Sequence, residues 1–200
     1  MLFEKIPYMI AQSLTGDYDE GNSYNWAQWK SFNEDMILGL YIRKMNIEDM
    51  KPETCYQDKL DGNLALLCAE IEAHPETQFK ISIPPYSMLW WDNIYRNGET
   101  ESYLYNMEQA MEKLLTYENV ELYYFLNDRE IVTDLDNYMD LLHFSPEINQ
   151  YICDSMIRND HKVTEANCHE IIEDSRSLAY QAVNELIKPY EDRIKVDIYD

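Results

Sequence analysis

The chain has 200 residues, of which 46% are apolar and 13% aromatic, and this composition predicts one folded domain and not a disordered acidic tail. A formal net charge of −22 argues strongly against a nucleic-acid partner, because a phosphate backbone is bound through Lys and Arg side chains. No apolar run approaches the roughly 18–20 residues of a membrane span. Residues 1–14 carry Glu4 beside Lys5, and their apolar stretches are too broken for a secretory signal, so the sequence itself leaves the localisation unknown.

The sequence predicts neither a metal site nor a cofactor. Its four cysteines contain no Cys-x-x-Cys pair, and free, mostly buried thiols are the expectation. The segment from Asp17 to Gly21 resembles a calcium loop only faintly, since its glycine comes one position early and the twelfth position carries no acid. Cys168 and His169 are neighbours on a predicted helix, where adjacent side chains point in different directions.

Residues 1–57 form the N-terminal part, with tyrosines and tryptophans scattered among glycines and asparagines over residues 1–31, which predicts irregular structure. Residues 33–45 are predicted to be a helix. The apolar residues on one face of this helix are Met36, Ile37, Leu40 and Tyr41.

Residues 58–187 are predicted to be an α/β core. A helix carrying Leu60, Leu64 and Ile71 on one face ends at His74-Pro75. A strand over residues 77–83 follows, and two prolines stop it. The loop predicted over residues 84–91 then brings three aromatic side chains, those of Tyr86, Trp90 and Trp91, past the end of this strand.

A second helix, marked by Leu104, Met111 and Leu114, leads into an apolar strand over residues 120–125. Strand, helix and strand make a βαβ unit, whose two strands should be parallel.

Asp140 and His143 lie in a polar loop after this second strand, and Ser145 and Pro146 then open another helix. Because parallel strands end at the same edge of a sheet, this loop and residues 84–91 should meet there, where α/β sheets bind ligands. Two plainer alternatives stay open: a solvated Asp–His pair, and a loop packed down by its aromatic rings.

Thr164 is predicted to cap a long final helix to Ile187, and the tail, residues 188–200, could form an edge strand over residues 193–199. Two parallel strands do not make a stable sheet by themselves. Further strands must therefore come from the first fifty residues and the tail, from a second copy in a homo-oligomer, or from a partner chain.

Four stretches together resemble the carboxyl-terminal part of the SGNH/GDSL hydrolase superfamily, and in particular bacterial members that accompany membrane-bound O-acyltransferases. They are Phe79-x-Ile-Ser-Ile-Pro-Pro-Tyr-Ser87, Asn119-Val-x-Leu-Tyr-Tyr-Phe125, Asp134-Leu-Asp-Asn-Tyr-Met-Asp140-x-x-His143 and Ser145-Pro-Glu-Ile-Asn149. The resemblance covers about residues 63–167. It implies a partial SGNH-like, flavodoxin-like three-layer fold with a short parallel sheet flanked by helices. Residues 1–200 would be a single domain of this kind, truncated at its N-terminus relative to the family, and the implied location is outside a bacterial membrane.

The resemblance also implies roles for residues. His143 would be the general base toward a serine hydroxyl, with Asp140 holding its ring. The family's nucleophilic Ser, in a Gly-Asp-Ser-like turn after the first strand, and its oxyanion Gly and Asn have no recognisable counterparts here; Ser87 and Ser145 lie near the expected cleft. The residues predicted to contact substrate are Tyr86, Ser87, Trp90, Trp91 and Tyr138.

The first interpretation is an SGNH-like ester hydrolase or acyltransferase acting on acyl or acetyl esters of a cell-surface polysaccharide. The alternative is a non-catalytic carbohydrate-binding or accessory domain, in which aromatic residues of the cleft stack on sugar rings. A third interpretation is an inactive truncated product.

Overall fold

A computed structural model describes residue 27 and residues 29–197. The chain divides into two units, residues 1–31 and residues 32–200, and the helices and strands named below lie in the second. The irregular structure predicted over residues 1–31 falls almost entirely outside the described residues.

The second unit mixes helices with short parallel strands, which confirms the predicted α/β class. Its α-helices are α1 (Glu34–Leu40), α2 (Gln57–Ala73), α3 (Met88–Arg96), α4 (Thr100–Leu115), α5 (Arg129–Thr133), α6 (Pro146–Arg158) and α7 (Cys168–Gln181). Its strands are β1 (Ile42–Lys44), β2 (Phe79–Ile83), β3 (Val120–Tyr124) and β4 (Lys195–Asp197). Shorter turns cover Glu53–Tyr56, Leu135–Asn137 and Lys188–Arg193, and a π-helical turn, Ala182–Leu186, extends α7.

The predicted βαβ unit is confirmed in its strands and their direction. β2 and β3 pair in parallel from Phe79 opposite Val120 to Ile83 opposite Tyr124, with α4 between them in the chain. β3 is buried on both faces: Leu122 and Tyr124 belong to the main core, whereas Tyr123 and Phe125 pack with residues of α6. Its nearly continuous apolar sequence fits a parallel strand covered on both sides.

The two edges of this sheet differ. Residues 161–163 run along β3: the Tyr124 amide donates to the His161 carbonyl at 3.0 Å, and the Val163 amide donates to the Leu122 carbonyl at 2.8 Å. No strand within the described part of the chain pairs with the other edge of β2. Completion of the sheet by a second copy or a partner chain stays a prediction.

The first fifty residues and the tail do supply strands, but these form a separate pair. β1 and β4 are parallel, with Arg43 opposite Val196. The helix predicted over residues 33–45 is therefore too long. Asn33 caps it as its side chain accepts from the Met36 amide, and the backbone becomes extended at Tyr41, after which Arg43 is drawn inward to a buried carboxylate.

Two other predicted boundaries are wrong. The loop predicted over residues 84–91 gives way to α3 at Met88, because the apolar face of this short helix is buried. The last helix begins at Cys168 and not after Thr164, because the Thr164 amide donates to the Asn167 side chain at 2.7 Å and holds residues 164–167 in a turn.

None of the helices in the described ranges is long and apolar enough to cross a membrane.

Candidate functional site

The segments that follow β2 and β3 are held together by direct hydrogen bonds. The Ser87 amide and the Ser87 Oγ each donate to the Leu141 carbonyl at 3.1 Å. The Tyr138 hydroxyl donates to the Pro85 carbonyl at 2.9 Å. The predicted meeting of the segment after β2, residues 84–91, with the loop from Asp140 to His143 is therefore present.

Asp140 and His143 form a hydrogen-bonded pair. His143 Nδ1 lies 2.8 Å from Asp140 Oδ1. The same oxygen accepts from the amides of Leu142 at 3.1 Å and His143 at 3.0 Å, so the carboxylate organises the turn as well as the ring. Because an ionised carboxylate only accepts, Nδ1 must carry the proton, and in the neutral imidazole Nε2 is then the basic nitrogen.

The pair borders an open cleft of about 390 Å³. The side chains of His143 and Asp140 are 40% and 22% exposed, so both are partly accessible to solvent. The cleft is lined by Trp90, Asn93, Asp140, Leu141, Leu142 and His143. A smaller cavity of about 160 Å³ shares three of these residues and adds apolar side chains from α1 and β1.

Trp90 is the aromatic residue in the lining of this cleft. Its half-buried ring lies 5.0 Å from the ring of Tyr86 and 4.8 Å from that of Tyr103, centroid to centroid. Burial raises the pKa of Tyr86, which therefore remains a neutral phenol.

Three of the five predicted substrate contacts are buried and do not line the cleft. Trp91 is fully covered, and its ring packs edge-on against Trp90 and Tyr103. Ser87 and Tyr138 are also fully covered, and their hydroxyl groups donate the hydrogen bonds to backbone carbonyls given above. Trp91 and Ser87 contact residues that line the cleft, Trp90 and Leu141 respectively, whereas Tyr138 contacts Pro85.

Neither candidate serine looks like an activated nucleophile. The Ser87 hydroxyl is buried and already donates to a carbonyl. Ser145 is the N-cap of α6, and its side chain hydrogen-bonds the Glu147 carboxylate and lowers the pKa of that carboxyl. The Ser145 amide donates to the Asn137 carbonyl at 2.8 Å, which fixes the start of the helix.

Two residues of α3 matter to the site and were missed from the sequence. Asn93 lies one helical turn after Trp90 and lines both cavities. Asp92, the residue before it, is fully buried. The signal that could have found Asn93 was the spacing of three from Trp90, which has meaning only once α3 is recognised as a helix.

Asp92 anchors α3 to β1. Its carboxylate accepts from Arg43 Nε at 2.8 Å and Nη2 at 2.9 Å, from the Tyr41 hydroxyl at 2.7 Å, and from Arg96 Nε at 3.1 Å. Burial and the neighbouring Asp92 charge raise the pKa of Tyr41. A buried carboxylate with this many donors fixes the helix that presents Trp90 and Asn93.

Asp128 and His161 lie beyond the end of β3 and are bridged by the hydroxyl of Tyr151. The Tyr151 hydroxyl donates to Asp128 Oδ2 at 3.0 Å and lies 2.9 Å from His161 Nε2. Burial, followed by Asp128, raises the pKa of Tyr151. Phe125 packs against the His161 ring at 4.6 Å, so this cluster braces the connection along β3.

Among the described residues, no group of three or more His, Cys, Asp or Glu side chains is arranged to hold a metal ion.

No protein-family model, no curated protein and no solved structure matches this chain.

Proposed function

We propose that this chain is an SGNH-hydrolase-like protein, related to the esterases and acyltransferases that act on acyl or acetyl esters of cell-surface polysaccharides. In this proposal His143 is the general base and Asp140 orients it. The observation that carries the proposal is the 2.8 Å contact from His143 Nδ1 to Asp140 Oδ1 at the border of an open cleft.

The chemistry follows from the tautomer. While its Nδ1–H group is hydrogen-bonded to Asp140, His143 can accept at Nε2 the proton of a hydroxyl group that attacks an ester carbonyl. The carboxylate stabilises the imidazolium formed in that step, and the returned proton neutralises the leaving alkoxide. Two backbone amides donate to the Asp140 carboxylate and hold it in position, and the carboxylate in turn holds the His143 ring in one orientation.

The surroundings of the pair offer an aromatic ring and an amide to an ester of a sugar. Trp90 offers an aromatic face of the kind on which sugar rings stack, and Asn93 places an amide on the same cleft. The finer assignment to an SGNH-like, flavodoxin-like three-layer fold belongs to this proposal, and the parallel β2–β3 pair with the cleft at its carboxyl end supports it.

A second candidate is a non-catalytic carbohydrate-binding or accessory domain. The half-buried Trp90 ring, braced by Tyr86 at 5.0 Å, favours it, because a rigid aromatic platform binds sugars without any base. This candidate needs the cleft and Trp90 but not the proton chemistry of His143.

Turnover of p-nitrophenyl acetate by the full chain tests the first candidate. We expect hydrolysis that His143→Ala reduces at least about a hundredfold, the lower range for general-base catalysis. The matched control is His169→Ala, because His169 pairs with Glu108 at 2.8 Å in a similar contact outside the cleft. A fluorophosphonate probe followed by mass spectrometry identifies the nucleophile. No turnover and no labelled serine would reject the enzyme.

Oligosaccharide binding separates the second candidate from the first. Quenching of tryptophan fluorescence by an acetylated oligosaccharide should disappear in Trp90→Phe and persist in Trp29→Phe, since Trp29 is 66% exposed and belongs to the other unit of the chain. Quenching that survives in His143→Ala, together with absent turnover, would favour the binding domain.

A further inference from the structure

One further cavity, formed by described residues, shares no lining residue with the cleft of His143. It is a groove of about 510 Å³ between α2 and the C-terminal half of α4. Its apolar lining comes from α2, chiefly Leu60, Leu64 and Cys68, and Lys113 and Tyr117 form part of the opposite wall. We refer to it as the α2–α4 groove.

Helix α2 is poorly covered for its length. It has 17 residues, but only Cys68 and Ile71 are buried. Leu66 is 73% exposed and Leu67 is 36% exposed. Because a protein helix is stabilised mainly by burying its apolar face, a helix covered this little has apolar surface left for a partner.

The lining of the groove has helical geometry. The residues that α2 contributes recur every three or four positions from Gln57 to Glu72. At 1.5 Å per residue they form a stripe about 22 Å long, the length of a helix of about 15 residues. A helix-lined groove whose longer wall has this length is the kind of surface on which amphipathic helices dock.

The charge around the groove indicates the sign of the charge that a partner should carry. The groove lining carries two carboxylates, Asp61 and Glu72, against one lysine, Lys113, whose Nζ lies 5.0 Å from the centre of the Tyr117 ring. α2 as a whole carries four carboxylates against one lysine. The formal net charge of −22 also opposes pairing with a second copy. The occupant that complements both the apolar floor and the carboxylates is cationic.

We propose that the α2–α4 groove binds a cationic amphipathic helix of another protein. The apolar face of that helix lies on Leu60, Leu64 and Cys68, and its Lys or Arg side chains reach the carboxylates at the margin, Asp61 and Glu72 among them. This function is independent of the His143 cleft.

The test is fluorescence anisotropy of the full chain with a labelled 18-residue helix of leucine and lysine, leucines spaced every three or four positions. Two control peptides are the same helix with glutamate for lysine and a scrambled sequence without an apolar face. We expect binding of the first peptide only, weakened about tenfold between low and 0.5 M salt as the charges are screened.

Two variants of neighbouring residues distinguish the groove from general charge attraction. Ala65 lines the groove, whereas Leu66 is exposed and does not. Ala65→Arg and Leu66→Arg add the same charge to the same helix. We expect Ala65→Arg to weaken binding at least about tenfold and Leu66→Arg to weaken it less than about threefold, with circular dichroism showing both folded.

Three results would overturn the proposal. The first is no binding of the cationic helix, and the second is equal weakening by both variants. The third is a wild-type dimer in sedimentation velocity that Ala65→Arg alone dissociates, because the groove would then be an interface between copies of this chain.

Discussion

Ser87 donates two hydrogen bonds to the Leu141 carbonyl, one from its amide and one from its hydroxyl, both 3.1 Å long. Ser87 follows β2 and precedes α3, while Leu141 lies beside Asp140 in the loop after β3. This contact between residues 54 positions apart therefore sets the distance between the two segments that border the cleft.

Ser87→Ala should keep the fold and loosen the loop. The amide bond to Leu141 remains, so we expect the free energy of unfolding to fall by about 1 kcal/mol, the usual net value of one hydrogen bond. Urea denaturation measures it. Ser102→Ala is the control, since Ser102 is equally buried and its hydroxyl donates to the Glu99 carbonyl at 3.0 Å. Only Ser87→Ala should broaden or shift the NMR signals of residues 140–143; equal effects from both variants would contradict this role.

Asp92→Ala should be far more damaging. It leaves the guanidinium of Arg43, whose side chain is only 10% exposed, without its buried partner, and removing one member of a buried ion pair costs about 3–5 kcal/mol. Thermal and urea denaturation measure the loss. Asp160→Ala is the control, because its pair with Arg158 at 2.7 Å is about half exposed and should contribute under about 1 kcal/mol. Similar losses for the two variants would contradict the anchoring role of Asp92.

Cysteine reactivity should divide the four thiols into two pairs. Cys55 and Cys153 are exposed, whereas Cys68 and Cys168 are buried. Burial, together with the charges of Glu108 and Glu112, raises the pKa of the Cys168 thiol to about 11. At pH 8 we expect a disulfide reagent to modify two thiols quickly and the other two only after denaturation. Four fast thiols, or a fast thiol remaining in Cys55→Ser/Cys153→Ser, would contradict the burial.

Glu121 should contribute to the acid sensitivity of the fold. Hydrogen bonds from Lys162 and Lys80 lower the pKa of its carboxyl from 4.5 to about 2. Because the folded pKa is lowered, the stabilisation is present above pH 4.5 and is lost as the pH falls toward 2. We expect the difference in unfolding free energy between wild type and Glu121→Gln to shrink from pH 6 to pH 2. The exposed Glu165→Gln should change the same profile little, and a difference constant across this range would contradict the assignment.

The sequence predicted the parts of the fold that depend on local pattern. The run from Val120 to Phe125 predicted a buried strand, which is β3. The two prolines after Ile83 predicted the end of β2, and Ser145-Pro146 predicted the start of α6, and the structure has both. Parallel pairing then brought residues 84–87 and 140–143 together without further information.

The sequence could not predict what depends on distant partners. β1 is only three residues long, and its partner β4 lies about 150 positions away. The bonds from Arg43 to Asp92 span 49 positions, and nothing local distinguishes this aspartate from other carboxylates of an acidic chain. Trp91 and Tyr138, which the sequence predicted to contact substrate, are fully covered in the structure, because residue type alone does not say which aromatic ring is buried.

The central claim is that Asp140 holds His143 as the tautomer with its proton on Nδ1, which makes Nε2 the base. Nitrogen-15 NMR of the labelled imidazoles, assigned with His143→Ala, measures this directly. The account predicts that, in the neutral ring, Nδ1 of His143 has the shift of a protonated nitrogen and Nε2 that of an unprotonated one, and that Asp140→Ala abolishes this preference. A wild-type ring protonated on Nε2, or one that Asp140→Ala leaves unchanged, would contradict it.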